Sequence, residues 1–129
     1  DPLGLYLDSL LKYTALPTDT VVLPSHGKPF KGLHYRIKQL QDHHVDRLAD
    51  TLGACSVPHH ARDIVPVLFK RSLDTHQMSF AMGEAIAHLS WMCQAGELSR
   101  VLDEEGVYRF RLSEALVESP SDYLNLNLA

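Results

Sequence analysis

Apolar residues recur at helical spacing in four stretches of the chain. The first stretch reaches about Leu16, begins with Asp1 as N-cap and Pro2 at the first helical position, and has an apolar face made of Leu3, Leu7, Leu10 and Leu11. A second, longer helix is predicted over 32–52, and Gly53 supplies its stop signal.

Two further helices are predicted over 57–70 and 75–95. Ser56 is a favourable N-cap for the first of them. Pro66 should kink or split that helix, because proline removes a backbone donor and clashes with the preceding turn. The other helix, capped by Asp74 or Thr75, carries an apolar stripe typical of core packing: Met78, Ala81, Met82, Ala85, Leu89, Met92 and Cys93.

Two other segments have the pattern of β-strands. The run Thr20–Leu23 is short and apolar, as in a strand buried on both faces. Residues 98–112 alternate apolar and polar side chains around the turn Asp103–Gly106, which predicts a hairpin. A helical turn is predicted at Glu114–Val117 and a mobile tail over 119–129. The expected class is mainly α with a small β hairpin, that is, α+β.

The order of these elements suggests two units. A helix followed by one buried strand is half of an α/β unit, and a single strand has no sheet to join. We therefore expect residues 1–31 to be a helix-strand fragment of a larger α/β domain whose remainder precedes residue 1. Helix, helix, helix and hairpin is the order of a winged-helix module, which we expect over 32–118.

Composition indicates a folded cytoplasmic protein. The 129 residues are 45% hydrophobic, enough for a core. No apolar run approaches the roughly 20 residues of a membrane helix, and no secretion signal opens the sequence. Cys55 and Cys93 lie far apart without C-x-x-C spacing, so we interpret both as reduced packing residues, with a catalytic thiol as the alternative.

One histidine stands out as a candidate metal ligand. Three apolar residues run into Pro24 and Ser25, and His26 and Gly27 follow. Small neighbours would let the imidazole of His26 point outward, while the loop backbone sets its angle. An exposed loop histidine without a role is the alternative for His26.

The segment Leu23–Gly32 and the helix after it, which carries His43 His44 and Arg47 Leu48, resemble the C-terminal end of metallo-β-lactamase-fold hydrolases. The likeness is greatest to the subgroup with an appended winged-helix domain, whose pattern is also similar to Ile64–Phe69 and Gly83–Leu89. The resemblance implies a larger protein that uses zinc to hydrolyse an ester, thioester or phosphodiester. It also implies that His26 is the last ligand of that protein's two-metal site.

The remaining ligands of such a site are not in this sequence. The family's H-x-H-x-D-H run is absent, and adjacent histidines on a helix diverge by about 100°. Catalytic zinc needs about three protein ligands. We therefore expect no catalytic residue in this chain, no tightly bound zinc, and no hydrolysis by the chain alone. The expected partner is a missing N-terminal catalytic domain, with a homodimer as an alternative.

The other histidines are given lesser roles. His34 is expected at the surface, and because it follows the His26 loop closely, a speculative role at the substrate rim is the alternative. His88 lies near an apolar stripe and is expected to be a hydrogen-bonded packing residue. Surface positions are expected for His43, His59, His60 and His76.

A free-standing winged-helix nucleic-acid binder is the alternative function. Such a protein needs Lys and Arg on its recognition helix and wing. Between His76 and Ala95 there is neither, and the wing tip is Asp103 Glu104 Glu105. Residues 57–112 hold six basic against seven acidic side chains. We therefore expect a structural or interaction role, without nucleic-acid or membrane binding.

Overall fold

The computed structural model describes residues 1–118, and the predicted mobile tail over 119–129 lies outside the described residues. The described chain is mostly helical with one small antiparallel sheet, which confirms the α+β class. In chain order its elements are α1 (Pro2–Leu11), a 3₁₀ turn (Lys12–Ala15), α2 (Leu33–Ala54), β1 (His59–His60), α3 (Ala61–Leu68), α4 (Thr75–Gln94), β2 (Leu98–Leu102), β3 (Tyr108–Leu112) and α5 (Glu114–Glu118).

The first helix forms as its capping signals predict. The Asp1 carboxylate accepts a hydrogen bond of 2.8 Å from the Gly4 N–H, and Pro2 occupies the first turn, where no backbone donor is needed. Leu3 and Leu10 are buried on the face that α1 turns toward α2 and α4. The helical path then tightens into the 3₁₀ turn, which ends at Ala15.

The predicted strand over Thr20–Leu23 is wrong. Val22 makes only an isolated antiparallel bridge to Phe30, while Val21 is 54% and Leu23 79% exposed. A strand needs neighbours for its backbone groups, and in the described part of the chain no sheet lies alongside this run. Because this run has no sheet to pair with among residues 1–118, it forms a loop that exposes Val21 and Leu23.

The long second helix is confirmed, but it continues through the predicted stop at Gly53. It begins after Gly32, whose positive φ of 95° favours glycine, and ends at Ala54. The Cys55 N–H bonds to the Thr51 carbonyl at 3.1 Å, so the last turn is satisfied beyond the glycine. Thr51 is buried in this turn, and packing of the helix end favours continuation past Gly53, where glycine costs only about 1 kcal/mol.

The predicted helix over 57–70 is shorter, and Ser56 does not cap it. Residues 59 and 60 form β1 instead, because His59 pairs with Phe110 and His60 with Arg109 on β3. The helix α3 starts only at Ala61, where the His60 N–H donates to the Asp63 carboxylate at 3.0 Å. It ends two residues after Pro66. Local periodicity could not predict β1, because the residues that pair with it lie about 50 positions later in the chain.

The fourth helix, the hairpin and the last helical turn agree with the sequence. Asp74 caps α4 by accepting from the Gln77 N–H at 2.8 Å. Strands β2 and β3 pair antiparallel, and β1 joins the other edge of β3 to give the order β1-β3-β2. The turn predicted at Glu114–Val117 is α5.

Two apolar clusters hold these elements together. The larger lies between α3, α4 and the sheet and includes Cys55, Ile64, Leu89, Met92 and Phe110. The smaller joins α1 to the start of α2 through Leu10, Leu33 and Ile37. In residues 1–118, no helix is both long enough and apolar enough to cross a membrane.

Candidate functional site

The His26 loop is closed at its base by two backbone hydrogen bonds. The Val22 N–H donates to the Phe30 carbonyl at 2.8 Å, and the Phe30 N–H donates back at 3.1 Å. Between them the chain turns through Gly27, whose φ of 92° lies in the left-handed region. His26 precedes that glycine and is exposed. The loop therefore presents the imidazole to solvent on a fixed base.

His34 has a structural contact of its own. Its Nε2 lies 2.9 Å from the Leu16 carbonyl oxygen. A carbonyl can only accept, so Nε2 carries the hydrogen and donates it. This bond links the first turn of α2 to the end of the 3₁₀ turn. The role of His34 at a substrate rim stays a prediction.

The donors present do not make a zinc site. Among residues 1–118, no three His, Cys, Asp or Glu side chains converge in a way that could hold a metal ion. His26 is one imidazole, whereas catalytic zinc takes about three protein ligands. Zinc chemistry at His26 would need donors from outside these residues, and no catalytic step follows from this chain alone.

A second histidine cluster lies where α2 meets α4. His88 is 1% exposed, its Nδ1 lies 2.8 Å from the Glu84 carbonyl oxygen, and its Nε2 lies 3.4 Å from His44 Nδ1. Since the carbonyl requires a hydrogen on His88 Nδ1, Nε2 is left to accept from His44. The prediction that His88 is a hydrogen-bonded packing residue is confirmed.

The environment of this pair favours the neutral form of His44. Burial, then the neighbouring His88 and then His43, lower the pKa of His44. The Tyr6 ring of α1 packs edge-on against His44, with centroids 5.6 Å apart. The helical spacing of apolar positions in α2 fits either His44 or Val45 on the buried face, so it does not single out His44. Its partner 44 residues away has no sequence signal.

The Asp103 carboxylate at the hairpin tip is held by hydrogen bonds and ion pairs. The Asp103 carboxylate accepts from the N–H groups of Val107 at 2.9 Å and Glu105 at 3.0 Å. The side chains of Arg109 and His60 approach it to 3.4 and 3.5 Å. The Val107 N–H is the main cause of a lowered Asp103 pKa. Asp103 therefore organises the turn, and its lowered pKa keeps the carboxylate ionised there.

Both cysteines are free thiols with little nucleophilic character. Burial raises the pKa of Cys55 to about 11, and burial also raises that of Cys93. Since the thiolate is the reactive form, the raised pKa values keep both side chains as the less reactive thiols at neutral pH. This agrees with their interpretation as packing residues.

The sequence from the end of α2 to the end of the hairpin identifies the family. Residues 48–113 match the family described as "Metallo-beta-lactamase-like, C-terminal domain". The chain belongs to this family. No curated protein matches it. The match confirms the metallo-β-lactamase resemblance at the level of the family, in a region that does not include His26.

Two solved structures are similar to this metallo-β-lactamase-like C-terminal domain. A beta-lactamase domain protein from Burkholderia ambifaria is 51% identical with a TM-score of 0.84, over 87% of this chain and 34% of that one. A metallo-beta-lactamase family protein from Thermus thermophilus is 28% identical with a TM-score of 0.72, over 86% and 33%. The chain thus spans about a third of the length of these proteins.

Proposed function

We propose that the chain is the C-terminal accessory portion of a zinc-dependent metallo-β-lactamase-fold hydrolase, in which His26 supplies one zinc ligand. The observation that carries the proposal is the family match, since the family is defined as a C-terminal domain. The exposed imidazole of His26, on a loop that is fixed at its base, is what such a portion needs. The hydrolysed bond is an ester, thioester or phosphodiester.

The accessory domain is a winged helix over 32–118. Its order α2, β1, α3, α4, β2 and β3, with the sheet arranged β1-β3-β2, supports this assignment. Residues 1–31 belong to the α/β domain of the larger protein, and α1 packs them onto the winged helix through Leu3 and Leu10.

The partner surface is the exposed apolar surface near the N-terminus. It is defined by side chains that are at least half exposed in the first 35 residues: Leu5, Leu11, Tyr13, Val21, Leu23 and Tyr35. Exposed apolar groups in such number favour burial against another surface. The occupant is the metal-binding part of the hydrolase, whose sheet would also pair the backbone around Val22.

The experiment is an assay of the full-length hydrolase and of this chain with ester, thioester and phosphodiester substrates. The full-length protein should hydrolyse one class, lose that activity with a chelator and regain it with zinc. This chain should hydrolyse none. Zinc-independent hydrolysis by the full-length protein, or hydrolysis by this chain, would contradict the proposal.

Nucleic-acid binding is the competing function, favoured by the element order alone. Residues 75–94 of α4 contain no Lys or Arg, and Glu104 and Glu105 project at the wing tip. Titration of the chain with duplex DNA at low salt should show nothing tighter than about 10⁻⁴ M, the weak end of non-specific binding. Micromolar, salt-sensitive binding of the duplex would contradict the accessory role and support nucleic-acid binding.

A further inference from the structure

A cleft of about 470 Å³ lies between α4 and the outer half of the hairpin. Phe110 is buried, and Arg100 stands opposite it on β2, so both lie on the sheet face that turns toward α4. Tyr108, two residues before Phe110, shares that face. The outer half of the hairpin therefore overhangs the side of α4.

The floor of the cleft is apolar. Met82 and Ile86, one turn apart on α4, form one side, and Val107 and Phe110 of the hairpin form the other. Ile86 and Val107 are exposed to solvent. A ligand with an apolar body would cover this surface, and the volume lies within the usual range for small-molecule sites, about 300–1,000 Å³.

Two arginines supply positive charge at the cleft. The Arg100 guanidinium lies 4.7 Å from the centre of the Tyr108 ring, and no ion pair within residues 1–118 uses it. Arg62 also lines the cleft, and its ion pair is with its neighbour Asp63, at 3.7 Å. A guanidinium held on a ring, without a carboxylate partner, is ready to bind an anion.

The charge of the lining limits how negative the ligand can be. Glu105 faces the cleft together with the two arginines, so a polyanion such as a nucleic-acid backbone would meet a carboxylate. A single negative charge can reach a guanidinium and leave Glu105 in water. Ser90, at the end of the Met82 and Ile86 row, adds a hydroxyl for a hydrogen bond.

We propose that this cleft binds a small amphipathic monoanion, an aryl or medium-chain acyl carboxylate. Its apolar body lies on Met82, Ile86 and Val107. Its carboxylate pairs with Arg100 in the bidentate geometry that arginine favours, and Arg62 is the second cation. The site uses no residue of the His26 loop, so its test is independent of the proposed hydrolase function.

The test uses decanoate as the probe in a calorimetric titration of the chain. We expect saturable one-to-one binding with a Kd at or below about 10⁻⁴ M, and at least tenfold weaker binding of decanol, which lacks the charge. Arg100→Gln should weaken decanoate binding at least tenfold. Arg36→Gln, at an exposed arginine on α2, is the matched control and should leave it unchanged.

Amide chemical shifts locate the bound decanoate. Perturbations should centre on Ile86, Ser90, Arg100 and Val107. The proposal is overturned by absent binding, by equal binding of decanol, by an unchanged Kd in Arg100→Gln, or by perturbations centred on α1. Tighter binding of tripolyphosphate than of decanoate would also overturn it, because that result indicates a polyphosphate site.

Discussion

Individual side chains show what local sequence can and cannot predict. His88 was expected to be a packing residue because it lies beside the apolar stripe of α4, and it is buried. Its hydrogen-bond partner His44 could not be predicted, because the contact depends on how α2 crosses α4. The sequence predicts Asp103 in the hairpin turn and counts it as a negative charge. It does not predict that the carboxylate accepts from the N–H groups of Glu105 and Val107.

The partly buried His44 makes stability depend on pH. The folded state lowers the pKa of His44, so the unfolded chain binds more protons between that value and about 6.5. The free energy of unfolding should therefore fall as the pH drops below about 6.5. Urea unfolding from pH 7.5 to 5.5 should show a smaller fall for His44→Asn than for the unchanged chain.

The matched control is His76→Asn, at an exposed histidine near the start of α4. It should keep the full pH dependence of the unchanged chain. Equal pH slopes for His44→Asn and the unchanged chain would show that His44 does not couple folding to protons.

The two sides of α4 should differ sharply in sensitivity to truncation. Leu89 is fully buried, so Leu89→Ala should lower the free energy of unfolding by about 2–5 kcal/mol through lost contacts and a cavity. Phe80 is 68% exposed, and Phe80→Ala should change it by less than about 0.5 kcal/mol. Chemical denaturation measures both. A Phe80→Ala loss as large as that of Leu89→Ala would mean that the packing of α4 is misassigned.

At the level of elements, local signals predicted the structure where pairing is local. Helix α4 has a cap and a stripe within its own sequence, and the hairpin joins neighbouring segments. The failures are at Thr20–Leu23 and at β1, where the partner of a strand decides the outcome. The first run is apolar but lacks a sheet in residues 1–118, and the second is polar but pairs with β3.

The hairpin turn between β2 and β3 depends on Asp103. Asp103→Ala removes the acceptor for the Glu105 and Val107 N–H groups, so these amides should exchange hydrogen at least tenfold faster. Amides in the middle of α4 should be unaffected. Hydrogen exchange read by NMR makes the comparison.

Glu104→Gln is the control for charge, because Glu104 sits at the same tip and is exposed. It should leave exchange in the turn unchanged. Equal acceleration in both variants would show that net charge at the tip, and not the Asp103 hydrogen bonds, orders the turn.

At the scale of the whole molecule, the sequence predicted the family, whereas the role of His26 as a metal ligand stays a prediction. The metallo-β-lactamase resemblance came from Leu23–Gly32 and the later helices, and residues 48–113 confirm the family. The ligand set could not be predicted, because His26 lacks converging donors within residues 1–118. The apolar cleft between α4 and the hairpin could not be predicted from the sequence, because it forms only when the hairpin packs over the helix.

The most direct measurement of the central claim is zinc binding by the full-length protein and by its His26→Ala variant. The full-length protein should retain zinc through dialysis, whereas His26→Ala should lose part or all of it and bind added zinc at least tenfold more weakly. His76→Ala should behave like the unchanged protein. Full zinc retention in His26→Ala, or a tight stoichiometric zinc site in this chain alone, would contradict the assignment of His26 as one ligand of a site completed elsewhere.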